Sequence, residues 1–516
     1  MTYNYNMKKN IKKIARFLFS KNMFLLISLL LQIALIIFMY SVANKYTTKI
    51  LGGASSIIAF IVALIINNSK LHSDTKLAYV IILVLFPIYG VLTFLLSFLT
   101  RGDYKFKRYL KKLSNVNTKL PQNEDVLNSL QNQKEKGIAN YLYNSCGFPI
   151  YQNSDCKYFK CGEDLFEAML EKIKTAEKFV FLEYFIIQKG KLLSSLIDTL
   201  KSKVDEGVEV RLMYDGTSSI AKIPHSFVKQ MNKIGIKCKM FMPVRAILSS
   251  EQNNRDHRKL CIIDNKYAFT GGLNLADEYI NAIHPYSYWK DVGVELSGQA
   301  VTTYTSMFLK LWNFKQKNIE DFTPYIKDKY IVNTNGNFIP LGDHPHDNED
   351  VSKNLILHIL SNAREYVHIT TPYLVLDDEL RNALCNCCKR GVEVCIVTPN
   401  IPDKKIIYSV TQVNYKPLIE AGIKIYQYIP GFIHAKSIIC DNIVAVLGTV
   451  NLDYRSLYLN FENSLYLSNN SHVIDIEKDF KQTVNESKLI DMQNYKKINI
   501  VKRFFGKLLK IIAPLF

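Results

Sequence analysis

The stretch HRKLCIIDNKYAFTGGLN (His257–Asn274) returns later in the chain as HAKSIICDNIVAVLGTVN (His434–Asn451). In both copies Lys lies two residues after His, Asp five after Lys, Gly seven after Asp and Asn three after Gly. Five residue types at identical offsets are very unlikely to coincide twice by chance, so they indicate an internal duplication. The chain is therefore predicted to contain two similar halves, each carrying one copy of the motif.

The His-x-Lys part of each copy favours chemistry on a phosphate group. Side chains two residues apart on a strand point to the same face, so each copy presents an imidazole beside an ammonium. If the halves pack face to face, two histidines, two lysines and two asparagines meet in one cleft, and such donors suit a phosphate. One histidine can attack phosphorus while the other protonates the leaving oxygen. Because the lysines supply positive charge and would repel a cation, neither a metal nor another cofactor is expected.

The sequence around both motifs alternates between strand and helix patterns. Apolar runs of strand length are followed by segments with helical spacing and then by further apolar runs. This order is typical of an α/β fold with a largely parallel sheet. The predicted elements are strand 178–187, helix 192–206 and strand 208–214 in the first half, and strand 366–373, helix 379–390 and strand 392–398 in the second.

Three long apolar runs precede the duplicated part, at residues 23–43, 50–66 and 77–99. A helix needs about 20 apolar residues to cross a bilayer, so two or three transmembrane segments are predicted. The basic clusters that flank these runs favour a catalytic part on the cytoplasmic side. The formal net charge of +19 indicates an anionic partner, which can be nucleic acid, an anionic membrane surface or a phosphate-bearing substrate. The apolar runs favour the membrane surface among these.

Changes in composition divide the chain into segments, and the last segment is basic and amphipathic. In that stretch the apolar Phe504, Phe505, Leu508, Leu509 and Ile512 share one helix face between lysines and an arginine. Such a helix typically lies in an anionic membrane interface, and packing on the protein's own core is the alternative. The predicted segments are an anchor at 1–100, a juxtamembrane linker at 101–140, the first half at 141–320, an inter-half linker at 321–350, the second half at 351–495 and the C-terminal helix at 496–516.

The duplicated pattern HxKxxxxD followed by G-x-x-N resembles the HKD motif of the phospholipase D superfamily. Further stretches resemble bacterial cardiolipin synthases, from about residue 20 onward; they are GFPIY (147–151), FLEYFI (181–186), FTGGLN (269–274), TPYL (371–374), PDKK (402–405), PGFIHAK (430–436), LDYRSLYLNFE (452–462) and the final APLF. The resemblance implies two phospholipase D-like α/β halves around one active site, behind N-terminal transmembrane helices in the bacterial cell membrane.

The resemblance also implies a two-step phosphatidyl transfer without a metal. One histidine, by analogy His257, attacks the phosphorus of phosphatidylglycerol and releases glycerol. His434 protonates that glycerol and then deprotonates a second phosphatidylglycerol, which gives cardiolipin. The roles of the two histidines are not readable from the sequence. The implied catalytic set is His257, Lys259, Asp264, His434, Lys436 and Asp441.

Other residues receive supporting roles from the same resemblance. Asn274 and Asn451 are expected to help the lysines bind the phosphate. A downstream carboxylate is expected to orient each histidine, namely Glu462 in the second repeat and Asp291 in the first. Asp264 and Asp441 lie far along their strands from the histidines, so their place in the motif is expected to be structural.

Alternatives from other classes remain open at this point. A hydrolase of the same fold would release phosphatidic acid, and a transphosphatidylase would use another head-group alcohol, such as phosphatidylethanolamine, as acceptor. A nuclease is disfavoured because the membrane segments place the site near lipid, so no nucleic-acid partner is expected. A non-catalytic scaffold is disfavoured because both motifs are intact. The oligomeric state, the second lipid and the number of spans stay open.

Overall fold

The protein is described by a computed structural model that covers residues 30, 33–34, 37, 45–99, 102–114, 116, 119–219, 222–244, 253–347 and 349–515. It divides into two compact units. The first contains Met1–Lys105, Val244–Asn253 and Lys510–Phe516, and the second contains Phe106–Pro243 and Asn254–Leu509. Both motif copies lie in the second unit.

The first unit is helical in its described part. Val62, Ile66, Leu83 and Phe94 form a small buried apolar cluster among its helices. The helices are α1 (Lys45–Asn67), α2 (Ser73–Leu85) and α3 (Pro87–Leu99). Within the described residues, the structure contains no helix with both the length and the apolar character needed to cross a membrane.

The expectation of one continuous span over 77–99 is wrong in this structure. Helix α2 ends at Leu85, and Pro87 begins α3, because proline has no N–H to continue the helical hydrogen bonds. Gly90 then packs so closely on α2 that an added Cβ would lie 2.7 Å from the Leu83 Cα. Of the other two runs, 50–66 lies within α1, and 23–43 falls almost entirely outside the described residues.

The predicted linker at 101–140 is mostly helical where it is described. Phe106 and Tyr109 are buried in the main core of the second unit, and Ile138 and Leu142 belong to another buried cluster. From Phe106 onward this segment therefore packs as part of the second unit. Its helices are α4 (Gly102–Leu113), α5 (Glu124–Ser129) and α6 (Gln133–Cys146).

The first half is built on a seven-stranded sheet in the order β1-β8-β6-β5-β2-β3-β4. Its strands are β1 (Ser154–Phe159), β2 (Phe179–Tyr184), β3 (Glu209–Asp215), β4 (Lys237–Phe241), β5 (Lys259–Ile263), β6 (Tyr267–Gly271) and β8 (Gly293–Gly298). Its helices are α7 (Gly162–Lys174), α8 (Lys191–Asp205), α9 (Phe227–Lys233), α10 (Val301–Trp312) and α11 (Thr323–Ile326).

The second half repeats this arrangement in an eight-stranded sheet with the order β17-β12-β11-β10-β14-β15-β16-β9. Its strands are β9 (Asn337–Asp343), β10 (Tyr366–Thr370), β11 (Glu393–Pro399), β12 (Lys424–Tyr428), β14 (Ser437–Cys440), β15 (Val444–Gly448), β16 (Glu462–Ser468) and β17 (Ser487–Ile490). Its helices are α12 (Val351–Asn362), α13 (Asp378–Lys389), α14 (Lys405–Glu420), α15 (Tyr454–Tyr458), α16 (His472–Asn485), α17 (Met492–Lys497) and α18 (Ile500–Ile512).

Two sequence expectations about these sheets need correction. The sheets are mixed, because only β2-β3-β4 and β10-β11-β12 pair in parallel, whereas each motif folds into an antiparallel hairpin. The segment 321–350 is also more than a linker. It contains β9, which pairs with β16 as β1 pairs with β8, so the second half begins inside it. Pro340 is tolerated there because β9 lies at a sheet edge.

The two halves share a core and a small sheet. One buried cluster contains Phe181 and Ile262 from the first sheet together with Ile439 and Leu465 from the second. Strands β7 (Tyr288–Lys290) and β13 (Gly431–Ile433), one from each half, pair in parallel. The halves are therefore joined next to the motif histidines.

Candidate active site

Each motif forms a buried strand, a tight turn and a second strand. The strands β5 and β14 are buried along their whole length and follow directly on the His-x-Lys residues. The turns contain Asp264-Asn265 and Asp441-Asn442, whose φ angles of 54° to 56° lie in the left-handed region. Aspartate and asparagine tolerate this region better than most residues, which explains why both copies carry Asp-Asn here.

The two motif aspartates bind backbone rather than the cleft. The Asp264 carboxylate accepts hydrogen bonds from the backbone N–H groups of Glu177, Lys178 and Phe179, each at 2.8 Å. Asp441 accepts the equivalent three bonds, at 2.8 to 2.9 Å, from residues 364–366. Each aspartate thus ties the motif hairpin to the start of the neighbouring strand, at the strand end away from the histidine.

We expect Asp264→Asn to lower the free energy of unfolding by roughly 2–4 kcal/mol, because the amide replaces a charged acceptor of three hydrogen bonds that are buried or partly buried. Thermal unfolding followed by circular dichroism measures this effect. Asp441→Asn is the matched control with a smaller expected effect, because two of its three bonds are exposed. A fall in kcat by orders of magnitude at unchanged stability would contradict the structural role.

Backbone pairing between the halves places each histidine opposite a carboxylate. Strands β7 and β13 align Lys290 with Ile433, so Asp291 and His434 follow side by side, and the His434 N–H donates to the Lys290 carbonyl at 2.7 Å. A parallel bridge between Asp256 and Phe461 likewise places the next residues, His257 and Glu462, side by side. There the His257 N–H donates to the Phe461 carbonyl at 2.9 Å.

The histidine–carboxylate pairs therefore cross between the halves. His257 Nδ1 lies 2.9 Å from Glu462 Oε2, and His434 Nδ1 lies 2.7 Å from Asp291 Oδ2. Both carboxylates are fully buried. The expectation that each acid orients the histidine of its own repeat is wrong, because each histidine contacts the acid of the opposite half.

The second residue of each G-x-x-N, Gly272 in one copy and Thr449 in the other, fits the carboxylate that it lies beside. A Cβ added to Gly272 would lie 1.9 Å from Asp291 Oδ1, so only glycine fits beside the carboxylate. In the other half the Thr449 hydroxyl donates to Glu462 Oε2. Thr449 was not predicted as a site residue, although its position in the motif was a usable signal.

The motif lysines lie inside the same buried region. Lys259 Nζ donates to the His257 carbonyl at 2.6 Å, and Lys436 Nζ donates to the His434 carbonyl. Lys259 and Lys436 are 1% and 3% exposed. An ammonium has three donors, so each lysine keeps donor capacity beyond this local bond.

The two motif asparagines differ in what they bind. Asn274 Oδ1 accepts from the Ile186 N–H at 2.9 Å and its Nδ2 donates to the Tyr279 hydroxyl at 2.7 Å. Asn451 is 4% exposed, and its Oδ1 has no hydrogen-bond partner among the described residues. The two asparagines therefore differ in their hydrogen bonding, although the sequence predicted the same phosphate-binding role for both.

The electrostatics of the site favour neutral imidazoles and ionised carboxylates. Burial lowers the pKa of His257 to about 4, although the Glu462 charge opposes this. Burial and the nearby Lys436 lower the pKa of His434 to about 3, although the Asp291 charge opposes this. Burial disfavours ionisation of both acids, but the adjacent histidines and lysines hold the pKa values of Asp291 and Glu462 below their usual range. An ionised carboxylate at Nδ1 leaves the Nε2 lone pair of each neutral imidazole for chemistry.

Burial also affects the lysines. It lowers the pKa of Lys259 to about 7 and that of Lys436 to about 8, although Glu462 and Asp291 oppose the change. Both ammonium groups are thus charged near or below neutral pH and lose their charge above it.

A group of possible metal ligands lies elsewhere. In the described part of the chain, His368, Glu393 and Cys395 on β10 and β11 bring ligand atoms within 4.8 Å of one another. The two His368 nitrogens already contact Glu477 and Glu393. This group contains no motif residue.

Comparison with known proteins agrees with this geometry. The family model described as "Cardiolipin synthase, PLD-like domain" matches residues 169–312 and 356–484. Cardiolipin synthase 2 of Bacillus anthracis is 30% identical, with 89% of this chain and 90% of that protein aligned. An uncharacterised protein of Streptococcus mutans is 41% identical, with 87% of this chain and 98% of that protein aligned.

A solved structure shares the fold. Phosphatidylserine synthase of Haemophilus influenzae superimposes with a TM-score of 0.56 at 16% identity, over 74% of this chain and 98% of that one. The family match covers both motif copies, and the repeated halves agree with the fold of that enzyme. The chain therefore belongs to the cardiolipin synthase family of the phospholipase D superfamily and is a phosphatidyltransferase.

Proposed function

We propose that the protein makes cardiolipin and glycerol from two molecules of phosphatidylglycerol, through a phosphatidyl-histidine intermediate and without a metal. The observation that carries this proposal is the pair of crossed contacts, His257 with Glu462 and His434 with Asp291. They supply two imidazoles of fixed orientation beside two ammonium groups. This set matches what a two-step transfer of a phosphate diester requires.

In the first step His257 Nε2 attacks phosphorus, and the bond between phosphorus and the glycerol oxygen breaks. Glu462 stabilises the positive charge that develops on His257. His434 gives its proton to the departing oxygen, and the bound phosphodiester anion together with Asp291 favours the protonated form that this requires. Lys259 and Lys436 stabilise the negative charge on the phosphoryl oxygens.

In the second step the now neutral His434 takes a proton from a hydroxyl of a second phosphatidylglycerol. The freed oxygen attacks phosphorus, the bond from phosphorus to His257 breaks, and cardiolipin forms. Asn451 is the asparagine with acceptor capacity for a substrate hydroxyl or for orienting a lysine. Asp264 and Asp441 act only by holding the motif hairpins.

The proposed partner is an anionic membrane surface of the bacterial cell membrane, with the catalytic part on the cytoplasmic side. Helix α18 supports membrane binding because most of its apolar side chains are exposed, although Leu509 and Ile512 are half-buried. Exposed apolar residues of this helix are Ile500, Val501, Phe504, Phe505, Leu508 and Ile511. Lysines at 502, 507 and 510 suit anionic head groups.

The purified protein, phosphatidylglycerol vesicles and a chelator test the proposal, with products read by mass spectrometry. Cardiolipin and glycerol in equal amounts are expected. Phosphatidic acid as the only lipid product would mean that water is the acceptor. Activity that requires an added metal would contradict the two-histidine mechanism.

The KM for phosphatidylglycerol is expected to rise with pH above about 7. Lys259 and Lys436 have pKa values lowered to about 7 and 8, so their charge is lost as the pH rises through those values. Binding an anionic phosphate must then recharge them, which raises KM up to about tenfold per pH unit for each lysine. Kinetics from about pH 6 to 9 measure this, and vesicle sedimentation at each pH controls for membrane binding. A KM that does not change would contradict it.

A further inference from the structure

The two halves differ at the residues that follow β2 in the first half and β10 in the second. Parallel bridges join Ile187 to Leu275 and Leu374 to Leu452, so Ile186 in the first half corresponds to Tyr373 in the second. In the first half the neighbouring ring of Phe185 lies 4.9 Å from the imidazole of His257. An apolar ring therefore lies beside His257, and the apolar Ile186 of the first half is replaced by the phenol of Tyr373 in the second.

The phenol belongs to a small polar group. The Tyr373 hydroxyl donates to Asp403 Oδ2 at 2.5 Å, and Lys404 Nζ lies 4.9 Å from the centre of the Tyr373 ring. Burial and the Asp403 charge raise the pKa of Tyr373, so it stays protonated and keeps donating. Asp403 Oδ1 is buried and has no hydrogen-bond partner among the described residues.

This group lies on the His434 side of the site. Burial lowers the pKa of Lys436, and the negative charges of Asp291, Glu462 and Asp403 oppose this lowering. Asp403 also helps burial to raise the pKa of Tyr279, whose ring lies 5.4 Å from that of His434. The carboxylate thus acts on Lys436 and on Tyr279, the ring that lies beside His434.

A second unpartnered acceptor comes from Asn451. It precedes Leu452, which pairs with Leu374 next to Tyr373, and its Oδ1 is buried without a partner in the described structure. In the first half the corresponding oxygen of Asn274 is occupied by the Ile186 N–H. Asn451 Oδ1 and Asp403 Oδ1 are therefore two acceptors without a hydrogen-bond partner among the described residues, whereas the oxygen of Asn274 at the equivalent motif position is occupied.

We propose that Asp403, held by Tyr373, forms with Asn451 a subsite that accepts hydrogen bonds from the glycerol hydroxyls of a phosphatidylglycerol head group. This inference rests on the proposed function and deepens it. Buried acceptors without donors favour a hydroxyl-bearing ligand, because an unpaired buried acceptor is costly. The Lys404 ammonium, which lies over the Tyr373 ring, adds a positive charge to this group and disfavours a cationic head group such as ethanolamine. A glycerol bound in this subsite lies next to His434. This agrees with the proposal that His434 protonates the departing glycerol and deprotonates the incoming hydroxyl.

The test compares two esters of phosphatidic acid in the same vesicles. Phosphatidylglycerol must bind and protonate its leaving glycerol, whereas phosphatidyl-p-nitrophenol releases a stable anion that has no hydroxyl to recognise. For Asp403→Asn and Asp403→Ala, the ratio of glycerol release to nitrophenol release is expected to fall at least about tenfold relative to wild type. Asp378→Ala is the control, because that carboxylate is 66% exposed on α13, and its ratio should match wild type.

The outcomes separate this inference from the proposed function. An unchanged ratio in both Asp403 variants, with normal glycerol release, would overturn the subsite and leave the proposed function standing. A wild-type enzyme that releases nitrophenol but no glycerol would refute the proposed function and the subsite together. Nitrophenol release also reports folding, and Tyr373→Phe provides a second variant, which should lower the same ratio by freeing the carboxylate.

Discussion

Replacing either motif histidine by alanine is expected to lower cardiolipin formation at least about 10⁴-fold, because residues that act as one catalytic unit each account for most of the rate. The structure supports this size of effect, since each imidazole is buried and bound by a carboxylate of the opposite half. Measured rates with phosphatidylglycerol vesicles check it. His358→Ala, at an exposed bond on α12, is the control and should retain activity.

The same variants separate the two roles when phosphatidyl-p-nitrophenol is the substrate. Nitrophenolate leaves without a proton, so His434→Ala should still release up to one equivalent of nitrophenol per site in a burst and then stop. His257→Ala should give no burst. The reverse pattern would exchange the roles of the histidines, and bursts from both variants would contradict a single histidine nucleophile.

The second large effect is expected from the crossed carboxylates. Glu462→Gln and Asp291→Asn should each lower cardiolipin formation by about 10² to 10⁴-fold, because an amide no longer stabilises the charged imidazole or the required tautomer. Steady-state rates with phosphatidylglycerol measure this. Asp378→Asn, at an exposed carboxylate, is the matched control.

The direction of the crossing is tested by the nitrophenyl ester. Glu462 contacts His257, so Glu462→Gln should slow release of nitrophenol in the burst as well as glycerol transfer. Asp291 contacts His434, so Asp291→Asn should spare the burst and slow the steps that need proton transfer. Pairing within each half would produce the opposite result for the two variants.

Sequence spacing alone predicted the two halves and the histidine–lysine pairs, because that information lies within each eighteen-residue copy. The partner of each histidine could not be predicted in this way, since the paired residues are 205 and 143 positions apart. Their contact depends on short parallel pairings between the halves, which leave no local pattern.

Other misses have equally physical causes. Apart from the strand inside each motif, the predicted strands were only the parallel ones, because the antiparallel remainder depends on hairpins and edge strands such as β9. The apolar pattern at 77–99 predicted one helix, but Pro87 ends hydrogen bonding at that point. Asp403 was noticed only within PDKK, because its importance arises from a bond to Tyr373, thirty residues earlier.

The crossed pairs have a consequence for the origin of the chain. Either half alone would hold a histidine whose carboxylate lies on the other half. An ancestor with a single motif therefore required two identical subunits around a twofold axis, each completing the other's histidine. We infer that fusion after gene duplication let the two copies diverge, since glycine lies beside one acid and threonine beside the other. The two halves produced as separate polypeptides should accordingly regain activity only when they are mixed.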